Sequence, residues 1–307
     1  MLSKSGIMKI LPITVTVMAF LMIFSTSLMG QDEEAKAHFN AGIDAEQAGD
    51  NATAIKEYRA AIAKDPAYSS PYFNLGVILS NQKDYATAVT NFTKVTELDP
   101  KDLEGWKSLG IAATNAGNLT AGDQAFSQAL KIKPKDVELT EAYAMLYYIN
   151  KSYAKAIPRL NDLINLKTDD KQIFYALGKS YQETGDNARA IINFESATKI
   201  NPKYNLAYFE LGNIYTAQED WGVAIRKYKK AVECSPRHYQ SWFNLGSACV
   251  AEQTSESIVD AYDAYKKFLS LTKGKSSKSV KNMRSQASTI MQQLKDYFDQ
   301  AGVDYDE

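Results

Sequence analysis

One set of residues returns every 34 positions along most of this chain, and that period limits it to architectures made of stacked, similar units. A small residue recurs at Gly42, Gly76, Gly110, Ala144, Gly178, Gly212 and Gly246. An alanine follows at Ala54, Ala88, Ala156, Ala190 and Ala224, with Gly122 in the third copy. Four residues later comes an aromatic, at Tyr58, Phe92, Phe126, Phe194 and Tyr228, with Leu160 in the fourth copy. Proline closes the unit at Pro66, Pro100, Pro134, Pro202 and Pro236. Each such unit touches only its neighbours, so the core is elongated rather than central.

The second copy shows the local logic. Tyr72, Leu75, Gly76 and Leu79 share one face of a first helix, A, and Ala88, Phe92 and Val95 share one face of a second, B. Lys83 and Asp84 make the turn between them, and Pro100 ends helix B because proline cannot continue it. Gly76 lets helix B come close, with Ala88 expected opposite it. The period and these positions resemble the tetratricopeptide repeat over roughly Ala35 to Leu271. The resemblance implies an all-α fold, a right-handed superhelical solenoid of helix-turn-helix repeats.

Seven repeats are expected, over 35–68, 69–102, 103–136, 137–170, 171–204, 205–238 and 239–271. The fourth departs most, with Ala144, Leu160 and Thr168 at the glycine, aromatic and proline positions, and with Pro158 near the start of its helix B. It is also tyrosine-rich, with Tyr143, Tyr147, Tyr148 and Tyr153, which suits either a drifted repeat that still packs or a local bend or specialised binding position. In the seventh, alanine returns three residues late as Ala261, so an insertion is expected in the turn near Thr254–Glu256. Residues 278–300 carry an apolar stripe from Val280 to Phe298 and read as a capping helix, or as a helix for a partner or a second copy. Residues 301–307 form an acidic tail.

Ahead of the repeats, Lys4 and Lys9 precede an uncharged run from Ile10 to Met29. Residues 1–30 thus read as a signal peptide or an uncleaved signal anchor, with residues 10–29 the anchor in the second case. The repeats then lie on the exported, extracytoplasmic or periplasmic side, and the only membrane contact is through that segment. Removing Lys4 and Lys9 from the 35 basic residues leaves 33 against 36 acidic ones, a net charge of −3, which argues against nucleic acid as a partner.

The chain shows no phosphate loop, dinucleotide fingerprint or paired-cysteine motif, so neither cofactor, metal nor catalytic residues are expected. Its two histidines are far apart, and His38 stands where later repeats carry Tyr72 and Trp106, as a packing residue. Cys234 and Cys249 read as two buried free thiols, set too far apart along neighbouring helices for a bridge.

The resemblance also implies where a partner sits, because helices A line the concave face in this family. One series there is Phe39, Phe73, Lys107, Glu141, Tyr175, Phe209 and Phe243; the next is Asn40, Asn74, Ser108, Ala142, Ala176, Glu210 and Asn244. Val77, Tyr148 and Asn213 complete the candidate groove. Asparagine amides can donate to and accept from a peptide backbone, and the aromatics add apolar contact area. The lysine and arginine of the family's carboxylate clamp are missing, since Phe39 and Phe73 occupy the lysine position and Ser108 the arginine position. The expected function is a non-catalytic scaffold or adaptor that binds an extended peptide or helix of a cell-envelope or secreted protein. The alternative is a self-assembling structural protein of a cell-envelope complex, acting as a homo-oligomer.

Overall fold

The computed structural model describes residues 32–166 and 169–302, and in them the chain is entirely helical. The expected leader, Thr168 and most of the acidic tail lie outside those residues. Helices follow one another, most of them in pairs: α1 (Glu33–Gln47) with α2 (Asn51–Lys64), α3 (Ser69–Asn81) with α4 (Tyr85–Leu98), and α5 (Leu103–Asn115) with α6 (Leu119–Ile132). Then come α7 (Val137–Ile149), α8 (Tyr153–Asn165), α9 (Lys171–Glu183) with α10 (Asn187–Ile200), α11 (Asn205–Ala217) with α12 (Trp221–Cys234), and α13 (Tyr239–Glu252) with α14 (Ser255–Leu271). A long last helix, α15, spans Lys278–Ala301. The described residues form two compact units, one made of α1–α7 and the other of α8–α15.

Local chemistry starts and stops these helices. Most B helices open on a short polar side chain that accepts from a backbone N–H three residues on: Asp50 from Thr53, Asp84 from Thr87, Asn118 from Ala121, Asp186 from Arg189 and Asp220 from Val223. The residue just before the cap is left-handed in all seven repeats. It is Gly49, Gly117 or Gly185 in three, and Lys83, Lys151, Glu219 or Gln253 in the others. A side chain in that conformation costs about 1 kcal/mol relative to glycine.

Within the first unit the core is one layer between the A and B helices, containing Tyr58, Leu75, Phe92 and Leu109. In the second, Tyr228, Leu245, Tyr262 and Phe298 form one cluster, and Tyr265, Phe268 and Ala287 another. The glycine of helix A meets the ring of helix B rather than the alanine expected opposite it. A Cβ added at Gly76 would lie 2.8 Å from Phe92, and one at Gly212 only 2.5 Å from Tyr228. Gly42, Gly110, Gly178 and Gly246 meet Tyr58, Phe126, Phe194 and Tyr265 in the same way.

Two further expectations need correcting. The seventh repeat has no insertion in its turn: Gln253 and Thr254 keep the turn and cap positions, and the extra residues lengthen α14 to 17 residues. A capping box between Thr254 and Ser257 starts that longer helix, and Tyr265 then takes the ring position against Gly246. Pro158, near the start of α8 as expected, lies in its second turn and cannot supply the N–H that would bond the Ala154 carbonyl. His38 is half-exposed and pairs with Glu57 at 2.6 Å rather than filling a packing site.

Helix α15 packs along α14 and buries Val280, Ala287, Leu294 and Phe298. Its Arg284 reaches back to the carbonyl of Leu269 at 2.8 Å and to Thr272 Oγ1 at 3.0 Å, which closes the exposed end of α14.

Two stability measurements follow. Gly76→Ala is expected to cost about 1–3 kcal/mol in urea unfolding, and Phe92→Leu to remove most of that cost when the two are combined. Additive effects would show that the ring does not set the size of that residue. Glu219→Gly is expected to stabilise the protein by ~1 kcal/mol, and unchanged unfolding would mean the left-handed turn carries no strain.

Candidate functional site

The A helices of each unit lie side by side, α3 against α5, α5 against α7, and α11 against α13. They carry the candidate groove residues. In the first unit, Phe39 sits 5.8 Å from Tyr58 and 5.1 Å from Tyr68, and Phe73 sits 5.7 Å from Phe92. In the second, Tyr175 packs on Phe194 and Tyr204, Phe209 on Tyr228 and His238, and Phe243 on Tyr265 and Phe268. Every one of these five rings is half-buried. One edge is held by the core and the remainder stands open.

Val77 differs. It is 7 % exposed and belongs to the core of the first unit, so it is not a surface ligand as expected. Tyr148 is half-buried on α7. Its neighbours Tyr143 and Tyr147 are buried and donate their hydroxyls to the Asp123 carboxylate, the first at 2.6 Å, so they pack α7 onto α6. In the fourth repeat, therefore, these two tyrosines serve the fold.

The asparagines divide by their hydrogen bonds. Asn40 is exposed. The Asn74 amide donates to the Tyr58 hydroxyl at 3.1 Å, and that hydroxyl donates to Glu46 at 2.7 Å. Asn213 accepts from the Tyr228 hydroxyl at 2.8 Å and from Asn244 at 2.9 Å. These amides satisfy buried phenols, which would otherwise cost free energy. Among the described residues, the carboxamide oxygens of Asn40, Asn74 and Asn244 have no protein donor and remain open to a ligand.

Sequence reasoning missed a polar ladder across α9, α11 and α13. Lys179 pairs with Glu183 at 3.0 Å and with Glu210 at 3.4 Å, and Glu210 accepts from Asn213 at 3.1 Å. Glu210 is only 8 % exposed. Burial works against the Lys179 charge, yet the carboxylates of Glu210 and Glu183 outweigh it and hold the ammonium above the ordinary lysine range. The same helix-face position in the first unit is Ile43, Val77, Ile111 and Met145. The two faces thus differ, apolar in the first unit and polar in the second. The signal was available, since these residues recur with the 34-residue period one helical turn beyond the aromatics.

Both cysteines are free thiols. Cys249 is fully buried, and burial pushes its thiol up to about 12. Cys234 is half-exposed rather than buried as expected, at the end of α12. Among the described residues no cluster of three or more His, Cys, Asp or Glu side chains could hold a metal ion, and no helix is long and apolar enough to cross a membrane. A thiol reagent on the native protein is expected to label Cys234 alone and to reach Cys249 only after denaturant is added. Stability is also expected to fall as pH rises above about 9, because the unfolded Cys249 thiol ionises near 9 and the folded one near 12. Cys249→Ala should delay that loss; equal labelling of both thiols in the native state would place Cys249 at the surface.

Models of the tetratricopeptide repeat match residues 69–102 and two overlapping stretches, 175–238 and 215–269, and a TPR-repeat model matches residues 47–83. A comparison with curated proteins gave no match. Among solved structures, the C-terminal part of a repeat protein from Cytophaga hutchinsonii is similar at a TM-score of 0.65 and 18 % identity, covering 80 % of this chain and 98 % of that one. A tetratricopeptide repeat protein from Parabacteroides merdae is similar at 0.53 and 16 % identity, covering 84 % and 100 %. YrrB, described as a TPR protein with an unusual peptide-binding site, is similar at 0.51 and 20 % identity, covering 60 % and 95 %. The solved structures share this fold, and by its matches to the repeat models over residues 47–102 and 175–269 the chain belongs to the tetratricopeptide-repeat family of protein-interaction modules.

Proposed function

We propose that this protein is a non-catalytic adaptor on the exported side of a membrane, binding an extended segment or a helix of a protein partner on the open face of its A helices. The observation that carries this reading is the row of half-buried aromatics, Phe39 and Phe73 in one unit and Tyr175, Phe209 and Phe243 in the other. Each is fixed by the core on one edge, so little side-chain entropy is lost when a partner covers the rest. Beside them the open amide oxygens of Asn40, Asn74 and Asn244 suit backbone N–H groups of an extended chain. The peptide-binding site described for YrrB, a protein of similar fold, supports the same reading. The half-buried Ile43 and Ile111 favour apolar partner residues in the first unit, and the Lys179–Glu210–Asn213 ladder polar ones in the second. Export rests on the basic start and uncharged run of residues 1–30.

A photo-crosslinking residue at Phe73 or Phe209, activated in cells, is the direct test. One recurrent foreign protein is the expected adduct, and Phe73→Ala with Phe209→Ala should reduce its capture about ten-fold or more while the protein stays folded. Adducts with the protein itself alone would replace the adaptor reading with self-assembly. Recovery of the chain in the cytosol, with residues 1–30 intact, would remove export.

A further inference from the structure

A second feature lies away from the A-helix face. Where α14 gains its extra turn, a cleft of about 480 Å³ opens between α12, α13 and α14. Its floor is apolar, made by the buried Val232, Leu245 and Ala264. Trp242 forms a wall, half-buried, and its indole N–H donates to the Pro236 carbonyl at 2.9 Å. The polar edge of that ring is therefore satisfied, and what it offers the cleft is its aromatic surface. Three of the four charges at the rim are already spoken for. Lys229 pairs with Asp260 at 2.6 Å, and Glu233 with Lys230 at 2.6 Å.

The remaining charge is Asp263. It is exposed, lines the cleft and makes no hydrogen bond or ion pair among the described residues. Of the lysines that follow it, Lys266 lies over the Tyr262 ring and Lys267 forms no ion pair with Asp263. An apolar floor, an aromatic wall and one open carboxylate match a single kind of group: a planar cation on an aliphatic stem. The stem lies on the floor, the guanidinium stacks on the indole, and its fork of N–H donors meets the carboxylate.

We propose that this cleft receives the arginine side chain of a protein partner. That the arginine comes from a protein rests on the adaptor reading; the chemistry of the cleft does not. The site is separate from the A-helix face, so it stands or falls on its own residues.

The test is NMR titration of the full chain with N-acetyl-arginine methylamide, its neutral citrulline counterpart, and butylammonium. Arginine is expected to move the Trp242 indole and Ala264 amide signals, with citrulline binding weaker by about five-fold or more. Asp263→Asn, a change at an exposed residue that leaves the fold intact, should weaken the arginine titration to the citrulline level. Equal responses to arginine and citrulline, an unchanged Asp263→Asn titration, or a Trp242 signal that does not move would each overturn the proposal. Tighter binding of butylammonium than of arginine would do the same, by assigning the cleft to free amines. Absence of crosslinks at Phe73 would remove the groove reading and leave this result untouched.

Discussion

The contact between a glycine on one helix and an aromatic ring on the next is the interaction on which each closed repeat depends. It sets how near the two helices come, because a methyl group at Gly42, Gly76 or Gly212 would stand less than 3 Å from ring carbons. Real contacts of that kind do not occur, so the residue must be glycine as long as the partner is a ring. The sequence carries the same rule. The one repeat with alanine at this position, Ala144, is also the one with leucine in place of the ring, Leu160.

A second demand comes with the ring when it is tyrosine. Tyr58, Tyr228 and Tyr265 are almost fully buried, so their hydroxyls need partners inside the protein. Glu46 and Asn74 serve the first, Asn213 and Thr216 the second, and Ser247 the third. Phe92 has no hydroxyl, and in its repeat Ser80 Oγ is buried with no partner among the described residues. Polar residues on the open face are thus chosen partly from within. Asn74 answers a buried phenol with its N–H, and Asn213 answers another with its oxygen.

That double use explains why the fold was legible in the sequence and the site only in part. The period of glycine, alanine, ring and proline is a packing pattern, and packing is what a repeat records most plainly. The face open to partners is recorded less plainly, since Phe73 and Asn74 satisfy the core whether or not a ligand exists. Glu210 gave no signal as a lone residue; its meaning appears only when Lys179 from the neighbouring α9 and Asn213 from its own helix are placed around it. In the seventh repeat, the late alanine could signal a longer turn or a longer helix. The sequence spacing of Ala261 is the same in both cases, and only the capping box at Thr254 decides between them.

The longer α14 has a consequence for how such a molecule can grow. Each earlier boundary from Pro202 back to Pro66 presents a helix B that a copied unit could follow in step, so gene duplication there would insert a repeat without disturbing its neighbours. At α14 the ring has moved to Tyr265, and Arg284 of α15 already holds the helix end. A unit copied past that point would have to displace α15, which already packs on α14. Lengthening by duplication is therefore open on the N-terminal side of α14 and closed beyond it.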